Sequence, residues 1–504
     1  MIGEALQHGL AVVADPFAVG AALVGLAAGM VVGALPGLTA TMAVAVLAPF
    51  TFFMEATIGI PFLLGIYKGA IYGGSIPAIT INTPGTAAAA ATAIDGAALA
   101  RAGAGRKALE MSLVASVVAD ALATLVLIFV AAPLASVAIS FGSPDFTMLY
   151  VFALVMIAGV SGASPAKGAF AVSLGVLLAC VGLDPMSGAQ RLTFGVIDLW
   201  GGVSLVPLLI GMFALSEILV QSERLARRRL ERVRVEMSAA GVTSREVRAV
   251  LPTILRSSGI GAFLGALPGL GAEISCWIAY GAAKRRSAAP DRFGKGSLEG
   301  VAAAEAGNNA VCPAALIPMM VFGIPGDTIT AVLLGAFMAQ GLLPGPLLFE
   351  QHGPVLYGFF AILLVTNAML LVFGLGAIRY FRHITAISPG MLYPAVTVLC
   401  FAGAFAVNNA VFDWWIMIVG AALGYAMRKA DIPIPPLVIA MLLTPGLENA
   451  LRQSLTLSDG SLLIFATEPI AATLLAVLIV LVAVLVRRSL RSPTNHRGQQ
   501  GVRP

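Results

Sequence analysis

Four Pro-Gly pairs interrupt apolar stretches of this chain: Pro36-Gly37, Pro84-Gly85, Pro268-Gly269 and Pro325-Gly326. Proline inside a helix removes a hydrogen bond and clashes with the preceding turn at a cost of about 3 kcal/mol, and glycine adds about 1 kcal/mol. In hydrocarbon the freed backbone groups find no water, so such breaks persist only when buried in protein or lining a wet cavity. Each break starts a new half-helix, whose unpaired N–H groups and positive dipole end suit an anion. The residues that follow are small or hydroxylic: Thr39 and Thr41, Thr86, Gly271, and Thr328 with Thr330. The carbonyl ends, with Asn82, Thr83, Asn308 and Asn309, offer oxygen ligands to a small cation such as Na⁺. Glu273 and Asp327 are carboxylates beside the second pair of breaks. Each either helps bind a coupling cation or proton, or caps its own half-helix. Lys68 either neutralises a substrate carboxylate or snorkels to an interface, while Asp120, Glu217 and Asp413 read as interfacial or paired.

The elements that position these residues are membrane helices. Of 504 residues, 59% are hydrophobic and 11% charged, with a mean hydropathy of +0.95; a soluble domain carries about 25% charged residues. Runs such as 353–378, 146–166 and 384–412 are apolar on every face, which excludes the alternation of a membrane β-barrel. The fold class expected is an all-α integral membrane protein of about 10–12 transmembrane helices. GALPGL occurs at Gly33–Leu38 and again at Gly265–Leu270. The pattern Ile-Pro, six residues, Pro-Gly occurs at 75–86 and again at 316–327. Two landmarks in the same order, 232 and 241 positions apart, indicate an internal repeat. Basic clusters at 101–107, 222–237, 284–286, 379–383, 428–429 and 487–488 fall on one side when crossings are counted, which the positive-inside rule makes cytoplasmic. The two Pro-Gly crossings then run in opposite directions, so the repeats are inverted, with broken helices or re-entrant hairpins at their centre. The expected divisions are a first membrane repeat at 1–220, a basic cytoplasmic linker at 221–250, a second repeat at 251–486 and a cytoplasmic tail at 487–504.

Other chemistries find little support. Cys180, Cys276, Cys312 and Cys400 are singletons in apolar surroundings, with neither disulfide nor zinc spacing. The net charge of +5 reads as a topology signal, not a nucleic-acid surface. No GxxxxGK[ST] loop is present, so any energy source is a gradient or another subunit. Gly159-Val160-Ser161-Gly162 matches an intramembrane-protease string, yet none of His8, His352, His383 or His496 counts to mid-membrane beside Ser161. The N-terminus lacks the features of a cleaved signal peptide. The chain is therefore expected not to be an enzyme and to need no cofactor.

Three stretches, 33–52 (GALPGLTATMAVAVLAPFTF), 65–103 (GIYKGAIYGGSIPAITINTPGTAAAAATAIDGAALARAG) and 292–349 (RFGKGSLEGVAAAEAGNNAVCPAALIPMMVFGIPGDTITAVLLGAFMAQGLLPGPLLF), resemble the large membrane subunit, TctA, of tripartite tricarboxylate transporters. The resemblance implies a bacterial inner-membrane permease with a cytoplasmic C-terminus, driven by a Na⁺ or H⁺ gradient. It implies two partners, a small membrane subunit (TctB-like) and a periplasmic solute-binding protein (TctC-like) that delivers a tricarboxylate or related organic carboxylate. Carried onto matching motifs, it places substrate binding on Pro36, Gly37, Thr39, Thr41, Ser75, Asn82, Thr83, Pro84, Gly85, Thr86, Pro325, Gly326 and Thr328. The coupling ion falls to Gly269, Gly271, Glu273, Asn308, Asn309 and Asp327. A passive organic-anion channel and the permease of an ATP-driven importer are the alternatives. Accumulation against a gradient separates the first, and uptake that survives ATP depletion separates the second.

Overall fold

The structure, a computed structural model, describes residues 9, 11–35, 37–160, 164–227, 240–378 and 389–491. Pro36, Ser161, Gly162, most of the basic linker and the terminal tail lie outside the described residues.

Helix α1 (Pro16–Ala34) starts where Asp15 accepts a hydrogen bond from the Phe17 N–H, with proline in the first turn, where its missing N–H costs nothing. After a five-residue break, α2 (Ala40–Thr51) is capped by the Thr39 hydroxyl, which accepts from the Met42 N–H at 3.1 Å. Helix α3 (Ala56–Ile81) runs parallel to α1 at backbone contact. Gly25, Gly29 and Gly33 face the carbonyls of Phe62, Ile66 and Ala70, while Gly65 and Gly69 face those of Ala22 and Leu26. A Cβ at Gly25 would stand 2.0 Å from the Phe62 oxygen, so only glycine permits this approach. Such small-residue spacing is what holds helices together where lipid removes the hydrophobic drive. Because α1 and α3 are parallel, α1 and α2 form a hairpin whose two ends share one face of the protein. Helix α4 (Ala90–Arg101) follows the second break and α5 (Gly105–Ala138) returns.

The second half repeats this plan upside down. Helix α9 (Ser244–Gly265) opens with a reciprocal cap between Thr243 and Glu246, breaks, and returns as α10 (Gly271–Arg286), ending on Lys284, Arg285 and Arg286. This hairpin opens on the basic face. Helix α11 comes in three pieces, Leu298–Asn309, Val311–Ala314 and Leu316–Phe322; α12 (Thr328–Ala339) follows the fourth break and α13 (Leu348–Ala377) returns.

Backbone geometry repeats with the sequence offset. Asn82 and Gly323, 241 positions apart, end α3 and α11 in the left-handed region at φ 53° and 68°. The next residues, Thr83 and Ile324, donate to the Pro77 and Pro318 carbonyls, both at 3.1 Å. Gly37 and Gly269 take φ 92° and 80° in the paired hairpin tips. A Cβ at Gly85 would lie 2.1 Å from the Gly33 oxygen, and one at Gly326 would lie 2.7 Å from the Gly265 oxygen. The repeated hexapeptide thus meets the repeated Pro-Gly in each half.

The remaining helices tie the halves together. Helix α6 (Ser143–Val160) and α7 (Pro165–Ala179) pack against α16 (Ile434–Leu457) of the second half. Conversely, α14 (Pro389–Asn408) and α15 (Phe412–Lys429) pack on α8, which runs Leu205–Leu209, a π-helical turn Ile210–Leu215 and Ser216–Arg227. Helix α17 (Pro469–Arg491) lies on α6. Among the described residues seven helices are long and apolar enough to span a membrane. The second Pro-Gly crossing divides at the fourth break into the end of α11 and the half-length α12.

Ion pairs gather the charged loops by face. Lys107–Glu246 (2.6 Å), Arg428–Glu217 (2.6 Å) and Lys429–Glu223 join basic clusters at one end. At the other end of α7, Asp184 pairs with Arg452 (2.7 Å) and Arg191 with Glu448 (2.7 Å). The pairs at the first end tie Lys107 to the start of α9, and Arg428 and Lys429 to α8.

Candidate functional site

The four breaks bring four half-helix beginnings into one region. The Thr41 hydroxyl in the first turn of α2 meets the Thr328 hydroxyl in the first turn of α12 at 2.9 Å. Gly271, at the start of α10, would place a Cβ 3.4 Å from that of Asp327. Helix α10 in turn packs on the Ala87–Ala89 turn that leads into α4. Gly85 closes the circuit against Gly33 at the end of α1.

The charges at these four beginnings differ between the halves. Asp327 occupies the N-cap of α12: its Oδ1 accepts from the Thr330 N–H at 2.7 Å, and its Oδ2 accepts from the Tyr67 hydroxyl at 2.6 Å. Its carboxylate is spent on its own helix and on α3. Glu273 stands exposed in the first turn of α10, with Asp327 as its charged neighbour. In the first half the capping positions are threonines. Thr39 is engaged on α2, but the Thr86 hydroxyl is buried with no hydrogen-bond partner. Neither α2 nor α4 thus carries a carboxylate of its own at its N-cap or in its first turn, whereas α10 and α12 do.

The other expected residues fall into four groups. Pro84, Gly85, Pro325 and Gly326 lie in the meeting region, with Gly85 and Gly326 buried. Gly37 and Gly269 form the hairpin tips, beside Gln221 and Tyr393 for the first and Ile157 for the second. Asn82 and Thr83 are exposed at the end of α3 and lead into Pro84. Ser75, Asn308 and Asn309 are buried in side-chain bonds: Ser75 donates to Glu305 at 2.6 Å, Asn308 to the Ala88 carbonyl at 3.1 Å, and Asn309 to Ser116 at 2.8 Å.

Lys68 neither snorkels nor faces an open site. Its ammonium lies 2.5 Å from Asp120 and donates to the Leu363 carbonyl and Thr366 hydroxyl of α13, with both charged side chains 2% exposed. Burial of this kind is tolerable only because each charge is paired. Asp120 is that partner; Glu217 pairs with Arg428, and Asp413 accepts from Asn408 at 2.9 Å.

Glu305 escaped the sequence reading, although it is the one charged residue between Glu299 and Asp327. It is 0% exposed on α11 and accepts from Ser75, Ser116 and Thr92.

The meeting region itself is closed across Thr41 and Thr328. One open cavity of about 270 Å³, lined by Ser143, Tyr150, Phe322, Pro344 and Asn449, lies on the face opposite the basic clusters. Another of about 380 Å³, lined by Arg256, Arg285 and Arg286, lies on the basic face between α9 and α10.

The family model of the tripartite tricarboxylate transporter TctA family matches residues 19–439. An uncharacterised 52.8 kDa protein in the TAR-I ttuC' 3' region of Agrobacterium vitis is 35% identical over 430 residues, 85% of each chain. An uncharacterised protein in the TAR-II ttuC' 3' region of the same organism is 34% identical over 232 residues, 46% of this chain and 96% of that one. No solved structure matches. The matched span begins in α1, takes in all four breaks and ends in α16, so the chain belongs to the TctA family, the membrane subunits of tripartite tricarboxylate transporters.

Proposed function

We propose that the protein is the permease of a secondary transporter that imports a tricarboxylate or related organic carboxylate, driven by a Na⁺ or H⁺ gradient. It works with a small membrane subunit and a periplasmic binding protein that delivers the solute, in a bacterial inner membrane with the basic face and C-terminus cytoplasmic. The observation that carries this reading is the convergence of four half-helix beginnings, two of them without a carboxylate of their own. A carboxylate substrate would take the free positive ends of α2 and α4 and the unpartnered Thr86 hydroxyl. Repeats of opposite orientation that touch across Thr41 and Thr328 give the contact that must part for alternating access. Nothing in this sequence of events makes or breaks a covalent bond.

The test is uptake into proteoliposomes holding the permease and its small subunit, with the binding protein loaded with radiolabelled organic acids outside. Accumulation above the external concentration that collapses with the ion gradient and survives without ATP is expected. Equilibration without accumulation would make the protein a channel. In the same assay Thr86→Val should raise the half-saturating concentration about tenfold or more, since a hydrogen bond to a charged group contributes about 1.5–3 kcal/mol. Unchanged half-saturation with normal membrane insertion would remove Thr86 from the site.

A further inference from the structure

We propose that the side chains around Glu305 form a binding site for Na⁺. The carboxylate is fully buried between α3, α4, α5 and α11, and no lysine or arginine of the described residues pairs with it. The buried lysine of this region, Lys68, is taken by Asp120. A buried anion calls for a positive companion. Four hydroxyl oxygens gather on it, those of Ser75, Thr92 and Ser116 in contact and that of Ser112 facing it, and the Asn309 amide nitrogen reaches its Oε2 at 3.5 Å. Hard cations select that donor set. The Ser112 and Tyr72 hydroxyls beside it are buried with no hydrogen-bond partner, leaving lone pairs free for a ligand.

The fold does not require this polarity. At the offset of 241 that relates the two Pro-Gly crossings, Ser75, Thr92 and Glu305 correspond to Leu316, Leu333 and Leu64, all of them buried. The hydroxyls come from the first repeat and the carboxylate from the second, and in each case the other repeat has leucine at the matching position.

The site also adjoins the second break. Thr86 lies against Gly74, the neighbour of Ser75, and Asn309, which donates to Ser116, adjoins Asn308, whose amide holds the Ala88 carbonyl. A cation drawing Ser75 and Thr92 together would fix where α4 begins. The inference deepens the transport reading by naming its coupling ion, but the binding can be measured without transport.

The experiment is thermal unfolding of the purified full-length protein at constant ionic strength, with NaCl exchanged for choline chloride. A saturable rise in Tm with Na⁺ is expected, and Glu305→Gln should abolish it. Should Glu305→Gln not fold, Ser75→Ala and Thr92→Val serve instead, each raising the half-saturating Na⁺ concentration about tenfold as a lost ligand does. Equal Tm in Na⁺ and choline, or an undiminished Na⁺ response in Glu305→Gln or in both hydroxyl variants, overturns the assignment. So does a response to pH that is indifferent to Na⁺, which would make the ion a proton. Because no substrate is present, failure here leaves carboxylate uptake standing.

Discussion

Adding one methyl group at Gly85 tests whether the breaks meet as described. The residue is not in the left-handed region, so its backbone accepts alanine and only the new Cβ matters. That atom would stand 2.1 Å from the Gly33 oxygen and 2.9 Å from the Gly74 Cα. Carbon–oxygen contacts close at about 3.3 Å, so backbone must move by about 1.2 Å, with no flexible side chain to yield. At Gly326 the corresponding gap is 2.7 Å, and the required movement is about 0.6 Å. Overpacking costs about 1–3 kcal/mol, which places Gly85→Ala near the top of that range and Gly326→Ala near the bottom. Gly20, on the open side of α1, has nothing within 4 Å. There alanine should gain up to about 1 kcal/mol from helix propensity. Thermal unfolding of the three purified variants should give Tm values in the order Gly20→Ala, Gly326→Ala, Gly85→Ala, from highest to lowest. If Gly85→Ala were as stable as Gly20→Ala, the close approach of the second break to α1 would be wrong, and the convergence of half-helices with it.

Lys68→Met strands the Asp120 carboxylate and should cost about 3–5 kcal/mol, whereas Lys68→Met with Asp120→Leu should recover most of that loss in the same unfolding assay. A double variant no better than the single one would mean that the ion pair is not the reason Lys68 is buried. Outside the spans, Arg452 and the backbone amides of Ser187 and Met186 hold the Asp184 carboxyl well below the usual carboxylate range. Lowering the folded pKa gives stability that is complete above the unfolded value of about 3.9 and lost as pH falls through the folded one. The Tm advantage of the wild type over Asp184→Asn should therefore narrow below pH of about 4; a constant difference down to pH 2 would contradict the pairing.

What the sequence made legible was backbone, because proline, glycine and their spacing act locally. The repeated GALPGL marked the tips where Gly37 and Gly269 need positive φ, and the Ile-Pro to Pro-Gly pattern marked the left-handed ends at Asn82 and Gly323. Side-chain partnerships were not legible in the same way. Lys68 finds Asp120 and two groups on α13, and Glu305 collects hydroxyls from three other helices; no local periodicity encodes which helix faces which. For Glu305 a signal was nevertheless available. A lone carboxylate in a run of small and apolar residues is expensive in a membrane and asks for a reason. Asn82 and Thr83, singled out for polarity next to a break, lie exposed where α3 ends two turns past Gly74, so they differ in setting from the buried Ser75, Asn308 and Asn309.

The two repeats share caps and hairpins yet differ in charge, and that difference gives the symmetric frame a direction. Where the first half has Thr41 and Thr86, the second has Glu273 and Asp327; where the first half has Ser75 and Thr92, the second has Leu316 and Leu333. If the halves had stayed alike, all four half-helix beginnings would be equal sites for an anion and none would suit a cation. Asp327 and Glu273 oppose the positive ends of their own half-helices, and the first-half pair has no such carboxylate of its own, which is why the proposed anion position lies there. The cluster around Glu305 adjoins the start of α4 through Thr92, and beside it Asn308 holds the Ala88 carbonyl of the Ala87–Ala89 turn. If the substrate binds at Thr86 and the cation at Glu305, the Ala87–Ala89 turn lies next to both, and a shift of that turn is the route by which occupancy of one site would govern the other.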